Sequence, residues 1–190
     1  MPKGFLLKNN LTKDTLLRLA AAGFFTLAAV TSPYFLHTVV KGYFKEKTKE
    51  LAAKRAKKLK ELQGRKLIEF KELSDGSIRI TLSHLGKNLV RKYKLEEMKI
   101  NKPLKWDQKW RIISYDIPNN QRKASNALRQ KLKDLKLYKL QKSIWVSPYE
   151  CIEELEFLCS IFDINIDNHV FYFKTTEIPK ETEVKKFFNL

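Results

Sequence analysis

The N-terminal part of the chain alternates between apolar runs and short polar breaks, and this pattern predicts helices. Thr12 or Asp14 is a suitable N-cap for a first helix, and Leu16–Val30 is apolar on nearly every face. The Thr-Ser-Pro sequence at 31–33 ends this run. It predicts a second helix, with Ser32 as N-cap and proline at the first helical position, that extends to about Phe44.

A third helix is predicted from about Lys47 to Leu62, because apolar residues recur there three and four positions apart. The glycine at position 64 predicts its end, since glycine accepts the left-handed conformation of a helix C-cap. Basic residues lie mostly off the apolar face. The residues assigned to that face are Phe44, Thr48, Leu51, Ala52, Leu59 and Leu62.

A β-hairpin is predicted next. Leu67–Lys71 and Ser77–Leu82 are short runs with strand-like alternation, and Asp75-Gly76 between them is the preferred pair for a tight turn. A further helix is predicted over Ser83–Tyr93. Three helices, a hairpin and a helix follow one another as in a winged helix-turn-helix, in which the third helix enters the DNA major groove.

The second half of the chain shows a different order of elements, β-α-β-β-α-β, which is the pattern of a ferredoxin-like fold. The predicted elements are a strand over Lys109–Ile117, a helix over Asn119–Lys136, one bent strand or two over Leu137–Val146, a helix over Cys151–Phe162 and a strand over Asn168–Lys174. We therefore predict an α+β protein with a winged helix-turn-helix domain over residues 1–100, a linker over 101–105 and a ferredoxin-like dimerisation domain over 106–190.

The charge distribution supports this division into two parts. The 190 residues carry a formal net charge of +17. Residues 1–105 contain 24 Lys and Arg against 9 Asp and Glu, a net of +15, whereas residues 106–190 contain 14 against 12, a net of +2. A Lys-rich surface helix is a simple alternative explanation, but a general composition bias would raise the charge of both halves. The asymmetry favours a polyanionic partner for the first half.

Several classes of enzyme and metal site have little support. The sequence contains no Walker A, dinucleotide-binding, zincin or nucleophile-elbow motif. Two cysteines exclude a disulfide scaffold and a four-cysteine zinc site, and the three histidines show no metal-ligand spacing. We therefore predict no cofactor and favour a protein that is not an enzyme.

The segment Leu19–Val40 allows a second interpretation, because its 22 residues contain no Lys, Arg, Asp or Glu. A helix of this length just spans a hydrocarbon core of roughly 30 Å. The Thr-Ser-Pro break in its middle and His37 near one end favour a pair of buried helices over a membrane span.

The region from Trp110 to Tyr149 resembles the central domain of PaaX-type transcriptional repressors, which is itself similar to the small CRISPR-associated adaptation protein, a ferredoxin-like dimer. With the preceding winged helix, the resemblance extends over about residues 12–188. It implies a dimeric, DNA-binding repressor. The residues that carry it are Trp110, Asp116-Ile117-Pro118, Arg122, Leu128-Arg129, Leu132, Tyr138, Leu140-Gln141 and Ser143-Ile144-Trp145-Val146-Ser147-Pro148-Tyr149.

The candidate DNA-binding residues lie on the third helix and on the hairpin. The helix contributes bases that would face phosphates or base edges, and the hairpin, as the wing, would contact the DNA backbone. The helix residues are Lys47, Lys54, Arg55, Lys57 and Lys58, of which Arg55 and Lys58 lie nearest the apolar face; the wing residues are Lys71, Ser74, Ser77 and Arg79.

Asp116 is the one candidate for metal-dependent chemistry. In the CRISPR-associated relatives, an acid at the end of the first strand is proposed to bind a divalent metal between two protomers. Asp116 holds that position here, so Mg²⁺ or Mn²⁺ is the alternative cofactor, with hydrolysis of nucleic acid as the alternative reaction. One carboxylate per chain is a sparse ligand set, and Asp116 equally suits a helix cap or turn.

The sequence is compatible with three functions. The first is a dimeric cytoplasmic transcription regulator that binds double-stranded DNA. The second is a metal-dependent nuclease or CRISPR adaptation subunit that uses Asp116. The third is a membrane-anchored DNA-binding protein that uses Leu19–Val40. We favour the first, because it accounts for the basic half and for the resemblance of the second half.

Overall fold

The computed structural model describes residues 3–27, 44, 48–74 and 77–190. Two compact units divide the chain, Met1–Glu96 and Glu97–Leu190. The described helices and strands of the N-terminal unit are α1 (Lys3–Ala22), β1 (Phe24–Leu27), α2 (Lys49–Gly64), β2 (Ile68–Glu72), β3 (Ile78–Leu82) and α3 (His84–Glu97).

The first helix differs from its prediction at both ends. It begins at Lys3, so Thr12 and Asp14 lie inside α1 and cap nothing. It ends at Ala22, where Gly23 adopts φ +76°, and the apolar residues that follow form β1. Glycine takes this conformation without the steric cost of a Cβ atom. The second predicted helix, Ser32–Phe44, lies outside the described residues except for Phe44.

The Leu19–Val40 segment is therefore not a single helix, since α1 ends at Ala22 and β1 follows it. Among the described residues, no helix has the length and the apolar composition needed to cross a membrane.

The hairpin joins β1 in a small antiparallel sheet with strand order β1-β3-β2. Phe25 is paired with Ile80, and Ile80 with Phe70, so β3 is the central strand. The buried core of this unit gathers α1, α2, the hairpin and α3. Its most buried members are Leu16, Leu19, Leu59, Leu62, Ile68 and Ile80.

A close backbone approach fixes α3 against the start of the hairpin. Ser83 accepts a hydrogen bond from the N–H of Gly86 at 3.1 Å and donates its own hydroxyl to the carbonyl of Lys66 at 2.6 Å. A Cβ atom on Gly86 would lie 2.0 Å from the carbonyl oxygen of Leu67. Only a residue without a side chain fits at this contact.

The C-terminal unit has a ferredoxin-like order of elements and a four-stranded antiparallel sheet with strand order β5-β6-β4-β7. The predicted frame agrees with it, and Leu137–Val146, predicted as one bent strand or two, forms two strands. Its helices and strands are β4 (Trp110–Tyr115), a 3₁₀ turn (Asn119–Gln121), α4 (Arg122–Asp134), β5 (Tyr138–Gln141), β6 (Ile144–Ser147), α5 (Ile152–Phe162), α6 (Ile166–His169), β7 (Val170–Thr175) and α7 (Glu181–Phe188).

The sheet of this unit buries residues on both faces. Alternation along β4 places Ile113 and Tyr115 on one face and Trp110 and Ile112 on the other. The second face is covered in part by α7, whose Val184 is fully buried against Trp110 and Ile112. The helix α7 was not predicted, because it follows the last strand of the ferredoxin-like pattern.

Replacing Gly86 by alanine is expected to lower the free energy of unfolding by about 2 kcal/mol or more, within the range measured for overpacked sites. The matched control is Gly64→Ala, because a Cβ atom on Gly64 has no atom within 4 Å. That change should be neutral or stabilise by about 0.5 kcal/mol, through better helix propensity. Urea unfolding of both variants measures the difference, and equal stabilities would contradict the close contact at Gly86.

Candidate functional site

The outward side of α2 is a row of exposed basic residues. Thr48 caps this helix by accepting a hydrogen bond from the N–H of Leu51 at 3.2 Å, so the helix begins at Lys49, two residues later than predicted. Its exposed bases are Lys49, Lys54, Lys57 and Lys60. Lys54 pairs with Glu50 one turn earlier in an exposed ion pair, which has little effect on stability.

Two of the predicted DNA-binding residues on α2 are buried. Arg55 is 5% exposed and Lys58 is 6% exposed. Lys58 pairs with Glu61 one turn later, and Arg55 reaches into α1. Both side chains are engaged by partners within the unit, so the prediction that they contact DNA is not retained. The predicted apolar face needs a correction too, since Thr48 and Leu51 are exposed and Arg55 lies where an apolar residue was expected.

Arg55 has a full set of partners. Its Nη1 atom lies 2.7 Å from Asp14 Oδ2 and 2.9 Å from Thr15 Oγ1, and its guanidinium lies 4.5 Å from the centre of the Phe44 ring. Burial of Asp14 favours its protonated form, but the hydrogen bonds and charges of Arg18 and Arg55 outweigh that effect and lower the pKa of the carboxyl group. Asp14 is therefore ionised across the physiological range.

The candidate wing residues have mixed positions. Lys71 and Ser74 are exposed, whereas Ser77 is buried. Arg79 is the cross-strand partner of Lys71, and its guanidinium lies 4.7 Å from the ring centre of Phe24 on β1. Lys47 and the turn residues Asp75 and Gly76 lie outside the described residues.

Asp116 lies at the end of β4, on the edge of a cavity of about 430 Å³. The backbone there is fixed by two hydrogen bonds, from the N–H of Asp116 to the carbonyl of His169 at 2.9 Å and from the N–H of Tyr115 to the carbonyl of Ser143 at 3.1 Å. Within the described part of the chain, no three His, Cys, Asp or Glu side chains are grouped so that they could hold a metal ion.

The cavity beside Asp116 is lined by basic and polar side chains. Arg122 and Ser125 come from the first turn of α4, Arg129 comes from its next turns, and Lys142 and Ser143 come from the turn between β5 and β6. Arg122 and Arg129 are among the residues that carry the resemblance. Their convergence with Lys142 was not predicted, because no sequence motif connects residues twenty positions apart.

Residues 103–186 match the family model described as PaaX protein central Cas2-like domain. The matched segment lies entirely within the C-terminal unit, whose sheet has the ferredoxin-like strand order. This match confirms the resemblance of the second half of the chain to PaaX-type proteins, a family of transcriptional regulators. No curated protein matches the chain.

Replacing Asp14 by asparagine is expected to lower the free energy of unfolding by about 1–2 kcal/mol at pH 7, because it leaves Arg55 buried without its counter-charge. This is less than for a fully buried pair, since the side chain of Asp14 is 36% exposed. The pKa of Asp14 is lowered by folding, so its contribution is complete above the unfolded value near 4 and is lost as the pH falls further.

The control for this experiment is Glu50→Gln, which removes the acid of the exposed pair with Lys54 and should leave the free energy of unfolding nearly unchanged. Urea unfolding between pH 7 and pH 2 measures both variants. A difference between wild type and Asp14→Asn that stays constant down to pH 2 would show that the charge of Asp14 is not what stabilises Arg55.

Proposed function

We propose that this protein is a dimeric, DNA-binding transcriptional regulator. In this proposal the N-terminal unit is a winged helix-turn-helix that binds duplex DNA with α2 and the β2–β3 hairpin, and the C-terminal unit pairs two chains. The observation that carries the proposal is the row of exposed lysines on α2, in the same unit as a hairpin with an exposed base. The match of residues 103–186 to a domain family of transcriptional regulators supports it.

The topology of the N-terminal unit supports the winged-helix part of the proposal. A helix, a short strand, a basic helix and a hairpin follow one another as α1, β1, α2 and β2–β3. The short strand pairs with the second strand of the hairpin, which gives the order β1-β3-β2. In the proposed winged helix, α2 would enter the major groove and the hairpin would contact the DNA backbone.

The burial of the Lys and Arg side chains decides which of them are assigned contacts with DNA. Lys54, Lys57 and Lys71 have exposed side chains, and we assign contacts with DNA phosphates to them. Lys49 and Lys60 lie on the same exposed side of α2 and join this set. Arg79 contributes by packing on Phe24 beside Lys71, which supports the wing from within the sheet.

The proposed dimer depends on two exposed aromatic residues of β7. Phe171 is 63% exposed and Phe173 is 51% exposed, and their spacing of two places both on the face of the sheet that carries Ile112. Large neighbouring aromatic residues on a strand are typical of a protein interface. Trp145 on β6 is a core residue at 2% exposure and takes no part in this interface.

The alternative of a metal-dependent nuclease still depends on Asp116 alone. Mg²⁺ prefers several hard oxygen ligands, and the cavity beside Asp116 is lined by three bases. Bases of this kind favour an anion over a divalent cation. We therefore prefer the regulator, in which Asp116 is not required.

The triple variant Lys54→Gln, Lys57→Gln and Lys71→Gln should weaken binding to duplex DNA by at least tenfold at 100 mM salt. Each phosphate contact that is lost should reduce the slope of log affinity against log salt by about 1. The wild type should show a slope near −5 per protomer if it neutralises five or six phosphates. Fluorescence anisotropy with a labelled duplex between 50 and 200 mM salt measures both quantities.

A triple variant of the C-terminal unit, Lys105→Gln, Lys109→Gln and Lys186→Gln, makes the same change in net charge with exposed lysines. It should keep affinity within about twofold of wild type. Equal losses in the two triple variants, or a wild-type affinity that does not depend on salt, would refute the assignment to α2 and the wing.

Replacing Phe171 and Phe173 by serine should convert the dimer to a monomer, because it removes the exposed apolar surface of β7. Leu104→Ser is the control, since Leu104 is fully exposed in the same unit but lies outside the sheet. Analytical ultracentrifugation at 1–50 µM protein measures the change. A wild type that is monomeric at tens of micromolar, or a double variant that stays dimeric, would contradict this interface.

A further inference from the structure

The cavity between the end of β4, the start of α4 and the β5–β6 turn gathers positive charge from three places. Arg122 is the first residue of α4, Arg129 lies two turns along the same helix, and Lys142 lies in the turn between the strands. Among the described residues, none of these three side chains has an acidic group within ion-pair distance. Asp116 on the edge of the cavity offsets one of the three charges.

Arg129 shows that this charge is incompletely satisfied within the unit. Its Nη1 atom donates to Asn126 Oδ1 at 3.0 Å, but its Nε atom is buried and has no hydrogen-bond acceptor. A buried N–H of a charged group without a partner is costly, and such groups are rare in folded proteins. The Arg129 guanidinium therefore keeps hydrogen-bonding capacity that the unit itself does not use.

The sequence concentrates bases in the segment that supplies the three basic residues of the cavity. Residues 122–142 contain eight Lys and Arg and one acid, Asp134, whereas the rest of residues 106–190 contain six bases and eleven acids. Asp134 is itself engaged by Gln130 at 2.9 Å on the far turn of α4. The small net charge of this half therefore results from a basic region and an acidic region that cancel.

We propose that this cavity binds a phosphate group, held by Arg122, Arg129 and Lys142. A phosphate dianion offers acceptors in several directions, which suits donors that converge from a helix and a turn, whereas a carboxylate accepts mainly in one plane. The side chains of Ser125 and Ser143 also line the cavity and offer hydroxyl groups as neutral donors. The volume of about 430 Å³ leaves room for the rest of a phosphorylated molecule.

The phosphate belongs either to a small phosphorylated compound or to a nucleic-acid backbone, and the two sources share this chemistry. Pyrophosphate, titrated into the full chain by isothermal calorimetry at constant ionic strength, is the probe for the first source. A labelled duplex is the probe for the second. The proposal does not rest on DNA binding by α2, which the triple variant of α2 and the wing tests separately.

Arg129→Gln and Lys142→Gln should each weaken binding of pyrophosphate, of the duplex, or of both by at least tenfold. Lys123→Gln is the matched control. It also removes one positive charge from α4, at the residue after Arg122, but Lys123 does not line this cavity. It should change binding by less than twofold. Asp116→Asn should tighten pyrophosphate binding by roughly twofold to fivefold, since it removes a negative charge that repels the anion from the cavity edge.

Loss of pyrophosphate binding in Arg129→Gln and Lys142→Gln, with duplex binding intact, identifies a small phosphorylated ligand. Loss of duplex binding alone identifies a backbone phosphate. Lys142 is exposed in a turn, so Lys142→Gln reports on the cavity even if Arg129→Gln is unstable. The proposal is overturned if neither probe loses affinity in these variants, or if Lys123→Gln loses as much.

Discussion

The burial of Arg55 between α1 and α2 is the constraint on which the N-terminal unit depends. A guanidinium inside a core is tolerated because Asp14, Thr15 and Phe44 supply its counter-charge, a further hydrogen bond and a ring face. Successive residues of an α-helix are separated by about 100° of rotation. Fixing Arg55 inward therefore fixes the outward direction of Lys54 and Lys57, so a packing interaction determines which charges a DNA duplex would meet.

In the C-terminal unit, the corresponding constraint is that helices cover the two faces of a single sheet to different extents. The helices α4 and α5 cover one face with fully buried leucines, such as Leu128 and Leu158, while the short helix α7 covers the other face only in part. The amphipathic helix α4 contributes two of its bases, Arg122 and Arg129, to the cavity at one end of β4. Phe171 and Phe173 of β7 are left exposed on the face that α7 covers only in part.

Local patterns gave α2, the hairpin and the ferredoxin-like frame, because spacing, turn residues and strand alternation are properties of neighbouring residues. They misplaced the end of α1, since Phe24–Leu27 is as apolar as the helix before it and forms a strand only by pairing with β3. They also counted Arg55 and Lys58 as surface bases, because the burial of a charge depends on a partner elsewhere, such as Asp14 forty-one positions away. The cavity was missed for the same reason, since its three bases meet only through the β-α-β crossover.

The net charge of a domain is a sum over its residues, and the positions of the individual charges decide which ligands they can bind. Residues 106–190 are nearly neutral, which favours pairing of two chains because like charges do not repel over the whole surface. The same residues hold eight bases within 122–142, three of them around one cavity. Screening limits charge effects in solution to about 10 Å at 0.1 M salt, so the local arrangement of bases matters more to the cavity than the net charge of the whole unit. A near-neutral unit is in this way compatible with both an apolar interface and a strongly basic site.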